Sequence, residues 1–154
     1  MKRDQEVQWS VYDFGGLSAE LLHDILRLRV DVFVVEQQCA YAEVDGQDRE
    51  ALHLIAREAD ARLLAYARIL PAKHGGCPHI GRVVVHPEHR GEGLGKQLMQ
   101  EALNTLRNRY GSARSAVAAQ TYLLPFYTAL GYVRTGPDYL WDGIPHVDMQ
   151  RDAD

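Results

Sequence analysis

Apolar residues form two helical stripes along the chain, and each stripe predicts an amphipathic helix. The first helix is predicted from an N-cap at Ser18 to about Val35, and the second from about Gly93 to Tyr110, with Gly111 ending it. Within both segments the apolar positions lie three or four residues apart, which places them on one helix face. These positions are Leu21, Ile25, Leu28 and Val32 in the first helix and Leu94, Leu98, Ala102 and Leu106 in the second.

Seven other runs are rich in β-branched, aromatic or continuous apolar residues and predict strands. They span residues 7–14, 52–57, 63–70, 80–85, 115–119, 132–135 and 146–149, with a hairpin turn at 58–62. Loops are predicted at 37–50 and 71–78, and a short helix at 121–130. The resulting order β-α-β-β-β-α-β-α-β-β is a mixed α/β arrangement on one sheet, and the length of 154 residues suggests one domain, 1–154.

Composition and charge narrow the function classes. The chain has 17 Lys and Arg and 21 Asp and Glu, which gives a formal net charge of -4. Nucleic-acid binders usually carry an excess of basic residues, and the net charge shows no such excess. Cys39 and Cys77 are expected to be free thiols in a reducing compartment, and Cys77 lacks a partner pair at zinc spacing, so no metal is expected. Residues 1–6 carry no apolar signal segment, and no run is long enough to span a membrane, which makes a cytoplasmic location the expectation.

The segment from Val83 to Lys96 carries the most specific chemistry. It predicts a strand that ends in a loop, followed by three alternate glycines, Gly91, Gly93 and Gly95, at the start of a helix. Glycine allows positive φ angles and close approach of a ligand to the main chain. The first helical turn has unpaired N–H groups and a partial positive charge of about +0.5, which together favour a bound phosphate. With Arg90 and Lys96 beside it, the segment predicts a diphosphate site.

Two familiar phosphate loops are excluded by residue counting. A Walker A loop has the pattern Gly-x4-Gly-Lys-Ser/Thr. Here Gly95-Lys96 is followed by Gln97 instead of Ser or Thr, and the position of the first glycine is occupied by Arg90. A dinucleotide fingerprint starting at Gly91 requires its third glycine at position 96, which is a lysine. A kinase-like or nucleotide-switch function is therefore disfavoured.

The same segment resembles motif A of the GNAT acetyltransferase superfamily, Arg/Gln-x-x-Gly-x-Gly/Ala, which reads here Arg90-Gly91-Glu92-Gly93-Leu94-Gly95. A second superfamily element is matched by Pro125-Phe126-Tyr127-Thr128-Ala129-Leu130-Gly131-Tyr132. Three further stretches, 28–37, 43–48 and 142–149, resemble the ElaA-like branch. With all five elements in order, the resemblance covers nearly the whole chain.

This resemblance implies a mixed sheet in which two parallel strands, at 80–85 and 115–119, splay apart to bind acetyl-CoA. The pantetheine of acetyl-CoA would pair with Val83, Val84 and Val85 as an added strand, and Gln120 would reach its amide. The remaining cofactor-binding positions implied by the two motifs are Arg90, Gly91, Glu92, Gly93, Leu94, Gly95, Lys96 and Phe126.

The implied reaction is direct transfer of an acetyl group to an amine of a small molecule or protein. Tyr127 matches the acid that protonates the leaving thiolate, since a phenol stays protonated at neutral pH. Candidates for the base are Glu36, His53 and His146. Glu43 and Asp45, with Asp48, could attract a cationic acceptor. His146, which lies in the Asp-Gly-Ile-Pro-His stretch of the resemblance, is a further acceptor-binding candidate.

Each of these roles has a structural alternative. The glycines could only shape a turn, Arg90 and Lys96 could be solvated charges, Tyr127 could be a packed aromatic, and the acidic loop could be solvated. The sequence thus predicts an acetyl-CoA-dependent N-acetyltransferase, with a non-catalytic acyl-CoA-binding module as the alternative and a homodimer as a weaker expectation.

Overall fold

The computed structural model describes residues 6–59 and 62–152, and its centre is an eight-stranded mixed sheet. The strands are β1 (Gln8–Asp13), β2 (Leu52–Arg57), β3 (Leu63–Leu70), β4 (His79–Val85), β5 (Ser115–Gln120), β6 (Val133–Arg134), β7 (Tyr139–Trp141) and β8 (Ile144–Arg151). Their order across the sheet is β1-β2-β3-β4-β5-β8-β6, and β7 also pairs with β8. Neighbouring strands are antiparallel except β4 and β5, which are parallel.

The two long helices cover opposite faces of the sheet. Helices α1 (Ala19–Val30) and α2 (Leu94–Tyr110) each turn their apolar stripe inward, while α3 (Leu124–Ala129) is short. On β2, Ile55 packs with the α1 stripe, whereas its neighbour Leu54 packs with the α2 stripe. This alternation follows from the two-residue period of a strand, and it explains why β2 and β3 are apolar throughout.

The predicted mixed sheet is confirmed, and three details of the prediction are wrong. The first helix does not continue as one α-helix to Val35, because it changes at Asp31 into a π-helical turn, Asp31–Glu36. The last strand runs from Ile144 to Arg151 rather than over 146–149. An eighth strand, β7, was not predicted. Residues 60 and 61 of the predicted hairpin turn, and residues 1–5 of the N-terminal segment, lie outside the described residues.

The β7–β8 hairpin was overlooked because β7 is only three residues long and exposed on all of them. Its turn residues, Asp142 and Gly143, have φ angles of 50° and 78°. An Asp-Gly pair between apolar residues is a strong hairpin signal, because both positions of the tight turn need positive φ. The sequence therefore contained the information for this hairpin.

A bulge interrupts the pairing of β3 with β4. Tyr66 pairs with Val84 and Arg68 pairs with Gly81, so β4 holds one extra residue in this stretch. Arg82 lies in the bulge with a φ angle of 51°, which is uncommon for a residue with a Cβ.

None of the helices in the described ranges has both the length and the apolar character that a membrane-spanning helix needs.

Candidate active site

The site begins where the two parallel strands separate. His79 of β4 and Ala116 of β5 form the one pair that joins these strands, next to a bond from the Ala116 N–H to the Pro78 carbonyl at 2.9 Å. From Ile80 onward, no strand in the described residues pairs with the β5-facing edge of β4. Because backbone N–H and C=O groups need hydrogen-bond partners, this edge is open to an extended ligand.

A groove of about 370 Å³ lies along this opening. It brings together many of the residues that the sequence analysis selected: Glu36, Val83, Val84, Val85, Arg90, Gly95, Gln120, Phe126 and Tyr127. The π-helical turn adds Val32 and Phe33 from the opposite side, and the segment before α3 adds Tyr122 and Leu123. The lining is mostly apolar, and its polar side chains include Glu36, Gln37, Arg90 and Gln120.

The glycine turn leads directly into α2. Gly91 and Gly93 have φ angles of 81° and 80°, and Gly93 is the N-cap of α2 with no side chain capping the helix. A Cβ placed on either glycine meets no atom within 4 Å, so the turn is bordered by open space. The uncapped N–H groups of a 17-residue helix therefore point to a region that can hold an anion.

Not every predicted residue of this motif presents a side chain to the groove. Leu94 is buried in the core beneath α2, so its only available group is the backbone. Lys96 and Glu92 are exposed around the turn, and Glu92 lies 3.5 Å from the His89 ring. This arrangement is compatible with a diphosphate held by main-chain N–H groups and flanking cations.

Arg90 and Glu36 face each other at the mouth of the groove. The guanidinium donates two hydrogen bonds to the carboxylate, each 3.0 Å long, in a bidentate pair. About 45% of the Arg90 side chain and 43% of the Glu36 side chain are exposed. The pair joins the π-helical turn to the glycine turn, so an anion that binds Arg90 must compete with Glu36.

Tyr127 is buried at the base of the groove and has no hydrogen-bond partner for its hydroxyl within the described part of the chain. Its ring packs edge-on against Phe126 and Tyr132, with centroid distances of 5.0 and 5.8 Å. Burial raises the pKa of the phenol above its ordinary value. The hydroxyl is therefore protonated at neutral pH and free to donate.

A second, smaller cavity adjoins the groove and is named here the histidine pocket. It has a volume of about 90 Å³ and is lined by Phe33, Gln37, Cys39, Tyr41, Arg82, Gln120, Trp141, Asp142, Ile144 and His146. Phe33, Gln37 and Gln120 line both cavities, and the Gln120 amide donates to the Gln37 side-chain oxygen over 3.3 Å. These shared residues form a neck between groove and pocket.

The predicted acceptor-binding carboxylates are held by arginines, of which Arg29 and Arg68 are buried and Arg82 is partly buried. Arg29 donates to Glu43 and to Asp48 at 2.7 Å each, Arg68 donates to Asp45 at 2.8 and 2.9 Å, and Arg82 donates to Glu43 at 2.8 Å. We call this arginine–carboxylate network the ion cluster: Arg29, Arg68, Arg82, Glu43, Asp45 and Asp48.

Three positive charges offset three negative charges in the ion cluster, so it exerts little net attraction on a distant amine. Burial opposes ionisation of Asp45, but hydrogen bonds from Arg68 and from the Gln47 N–H lower its pKa to about 2. The cluster ties the loop after the π-helical turn to α1, β3 and β4. This geometry favours a structural role for Glu43 and Asp45, and their role in acceptor binding stays a prediction.

His53 lies on β2 beneath the ion cluster and is fully buried. One ring nitrogen is 2.7 Å from the Tyr66 hydroxyl and the other is 2.9 Å from the Asp48 carbonyl oxygen. Burial lowers its pKa, so the ring is neutral. Because both nitrogens are occupied and His53 lines neither cavity, this environment favours a structural role, and the role as base stays a prediction.

Sequence reasoning missed Arg68, Arg82 and Tyr41. Arg68 and Arg82 could have been noticed as single charges within apolar strands, since a buried charge needs a partner. Their partners lie 20 to 39 residues away in the chain. No local pattern connects such distant residues, so the ion cluster was not predictable as a unit.

Comparisons with known proteins agree with this fold. The family model described as "Acetyltransferase (GNAT) domain" matches residues 16–153. A UPF0039 protein of Schizosaccharomyces pombe is 44% identical over 89% of this chain and 91% of its own length. The structure of an acyl-CoA N-acyltransferase from Pseudomonas aeruginosa is similar at a TM-score of 0.89 and 40% identity, covering 96% of this chain and all of that one. Escherichia coli ElaA has a TM-score of 0.87 and 37% identity, over 94% and 99% of the two chains.

Proposed function

Because this chain belongs to the GNAT acetyltransferase family, in its ElaA-like branch, we propose that it transfers an acetyl group from acetyl-CoA directly to a primary amine. The observation that carries this proposal is the single pair between β4 and β5, which opens the edge of β4 beside the uncapped start of α2. An extended carrier with a diphosphate fits both features at once. The similar P. aeruginosa protein is described as an acyl-CoA N-acyltransferase, which supports the same reaction class.

The residues of the groove suit the parts of coenzyme A. The open edge at Val83, Val84 and Val85 offers backbone groups to the pantetheine amides, as an added strand would take them. The diphosphate would lie at the start of α2, between Arg90 and Lys96. When bound, the thioester supplies an activated acyl carbon. The chain itself orients that carbon near the neck and excludes water with Phe33 and Phe126.

We assign Tyr127 the role of acid. Its protonated hydroxyl faces the groove and can donate to the sulfur as the thiolate leaves, a kind of assistance typically worth about 10²–10⁴-fold in rate. A free backbone N–H on the open edge of β4 can hold the developing oxyanion. The loss of one such donor typically costs about 3–4 kcal/mol.

A thiol-release assay tests this function. Purified protein is incubated with acetyl-CoA and a panel of polyamines, amino acids and peptides, and the products are identified by mass. We expect one amine class to be acetylated, and Tyr127→Phe to lower kcat with little change in CoA affinity. Tyr110→Phe, an exposed tyrosine at the end of α2, is the matched control.

Two outcomes would contradict parts of this proposal. Wild-type protein that binds CoA but acetylates no amine in a broad panel would favour the non-catalytic acyl-CoA-binding alternative. Unchanged turnover in Tyr127→Phe would remove the tyrosine from the mechanism and leave the reaction class intact.

A further inference from the structure

We propose that His146 is a catalytic residue of this transfer, and that its Nε2 takes the proton that the acceptor amine releases. The inference rests on the proposed function and adds to it the residue that activates the acceptor. It follows from the position of His146 in the histidine pocket and from the hydrogen bond that fixes its ring.

The hydrogen bond at Nδ1 determines which nitrogen can accept a proton. Nδ1 lies 2.7 Å from the backbone carbonyl oxygen of Ile144. A carbonyl oxygen can only accept, so Nδ1 carries the hydrogen and Nε2 of the neutral ring has a free lone pair. No group in the described residues is hydrogen-bonded to Nε2. The ring therefore has the tautomer that a base needs.

Aromatic neighbours hold the ring in place. Tyr139 stacks on the imidazole with a centroid distance of 6.0 Å and an interplanar angle of 25°, and Trp141 lies at 5.3 Å. Both residues belong to β7, the strand that forms a hairpin with β8. The hairpin thus presents His146 to the pocket in one orientation.

The sheet places His146 beside the neck. Its direct partner on β5 is Gln120, which lines both the groove and the pocket. Side chains that are directly opposite on antiparallel strands have Cβ atoms about 4.5–5.5 Å apart. An amine in the pocket that attacks an acyl carbon at the neck is therefore within reach of the imidazole.

The other titratable groups of the pocket are less suited to accept a proton. The Cys39 thiol donates to the Asp142 carbonyl at 3.4 Å, the Tyr41 hydroxyl donates to Glu43, and Arg82 is held as a cation by Glu43. Asp142 has an exposed carboxylate at the rim. We assign Asp142 to attract the ammonium form of the acceptor, and His146 to remove the proton.

The two other sequence-based candidates for the base, Glu36 and His53, already have hydrogen-bond partners. Glu36 is paired with Arg90, and both nitrogens of His53 are hydrogen-bonded in the core.

The pocket volume of about 90 Å³ admits a group of only a few non-hydrogen atoms. The acceptor is therefore inferred to insert the end of an aminoalkyl chain, with the rest of the molecule outside.

The step balances as follows. The amine nitrogen forms a bond to the acyl carbon, and the C–S bond breaks. The ammonium first gives one proton to Nε2 of His146, which passes it to solvent, and the nitrogen loses a second proton by the same route once it has bonded to the acyl carbon. Tyr127 gives a proton to the leaving sulfur and regains one from solvent, so one proton is released overall. The products are the amide and free CoA, and no oxidant or reductant takes part.

Kinetics of His146→Gln provide the first test. With the amine identified in the panel, we expect kcat/KM to fall by about 10²–10⁴-fold, the range for loss of acid–base catalysis, while the Kd for CoA is unchanged. Asp142→Asn is expected to raise KM for the amine more than it lowers kcat. His23→Gln, an exposed histidine on α1, is the matched control. A His146→Gln variant with wild-type kcat/KM overturns the proposal.

Covalent labelling provides a test that needs no acceptor. Bromoacetyl-CoA carries an electrophilic carbon in place of the acetyl methyl, and Cys39→Ser protein removes the competing thiol. We expect mass spectrometry to locate the label on His146, with protection by excess CoA. If the protein binds CoA but the label is found on another residue or is not found, the role of His146 is overturned and the proposed function is not. Absence of CoA binding overturns the proposed function together with this inference.

Discussion

The Glu36–Arg90 pair should act against cofactor binding, and Glu36→Gln tests this directly. In the structure the two side chains form a bidentate ion pair across the mouth of the groove. The proposed diphosphate must take Arg90 away from this carboxylate and then lie near its negative charge. The substitution removes both obstacles, so both effects raise the affinity for CoA.

The size of the effect follows from the exposure of the pair. Both side chains are a little under half exposed, at 45% and 43%. Exposed ion pairs typically contribute about 0.2–1 kcal/mol, and the bidentate geometry favours the upper part of that range. A tenfold change in affinity corresponds to about 1.4 kcal/mol, so the Kd for CoA should fall by about 1.4- to 5-fold.

Isothermal titration calorimetry with CoA at two salt concentrations measures this change. The gain should be larger at low ionic strength, because salt screens exposed charges. Glu50→Gln is the control, since it removes the same charge from another exposed pair, Lys73–Glu50 at 2.9 Å, outside both cavities. Weaker CoA binding by Glu36→Gln, or the same change in both variants, would refute the reasoning.

Two further predictions concern the ion cluster, and both are measured by unfolding. Glu43→Gln leaves Arg29 and Arg82 without their shared carboxylate. Glu43→Gln should destabilise the fold by about 3–5 kcal/mol, which for a chain of this length lowers Tm by about 6–20 °C in a calorimetric scan. A decrease in Tm no larger than that of Glu50→Gln would contradict this prediction. Hydrogen bonds from Arg68 and the Gln47 N–H hold the folded-state pKa of Asp45 at about 2, below its usual 3.8. The ionised Asp45 therefore contributes fully to the free energy of unfolding above about pH 4, and this contribution is lost as the pH falls through 2. Denaturant titrations between pH 5 and 2 should therefore show a steeper acid loss in wild type than in Asp45→Asn, and equal slopes would contradict the assignment.

Much of the fold was predictable because its signals are local. The helical stripe at Leu94, Leu98, Ala102 and Leu106 and the paired apolar runs of β2 and β3 match the structure closely. The π-helical turn after Val30 was not predictable, since its apolar spacing is close to that of an α-helix. That turn matters for function, because it places Phe33, Glu36 and Gln37 along the groove.

The two halves of the site differ in how far sequence reasoning could reach. The proposed cofactor half includes one contiguous motif, so Arg90, Gly93 and Gly95 were selected from spacing alone. The proposed acceptor half combines residues from the loop after the π-helical turn, the β4 bulge, the end of β5 and the β7–β8 hairpin. Such a pocket is defined only by tertiary contacts, which is why Arg82 and Tyr41 were missed.

The central claim is that the open edge of β4 and the uncapped start of α2 hold an acyl-CoA, and a binding comparison tests it most directly. Calorimetry with CoA and with ATP is performed on wild type, Gly93→Ala and Gly93→Glu. The account predicts that wild type binds CoA in preference to ATP, that Gly93→Ala is weakened by strain at a φ of 80°, and that Gly93→Glu loses CoA because a carboxylate enters the diphosphate site. Preference of wild type for ATP, or retained CoA affinity in folded Gly93→Glu, would contradict it.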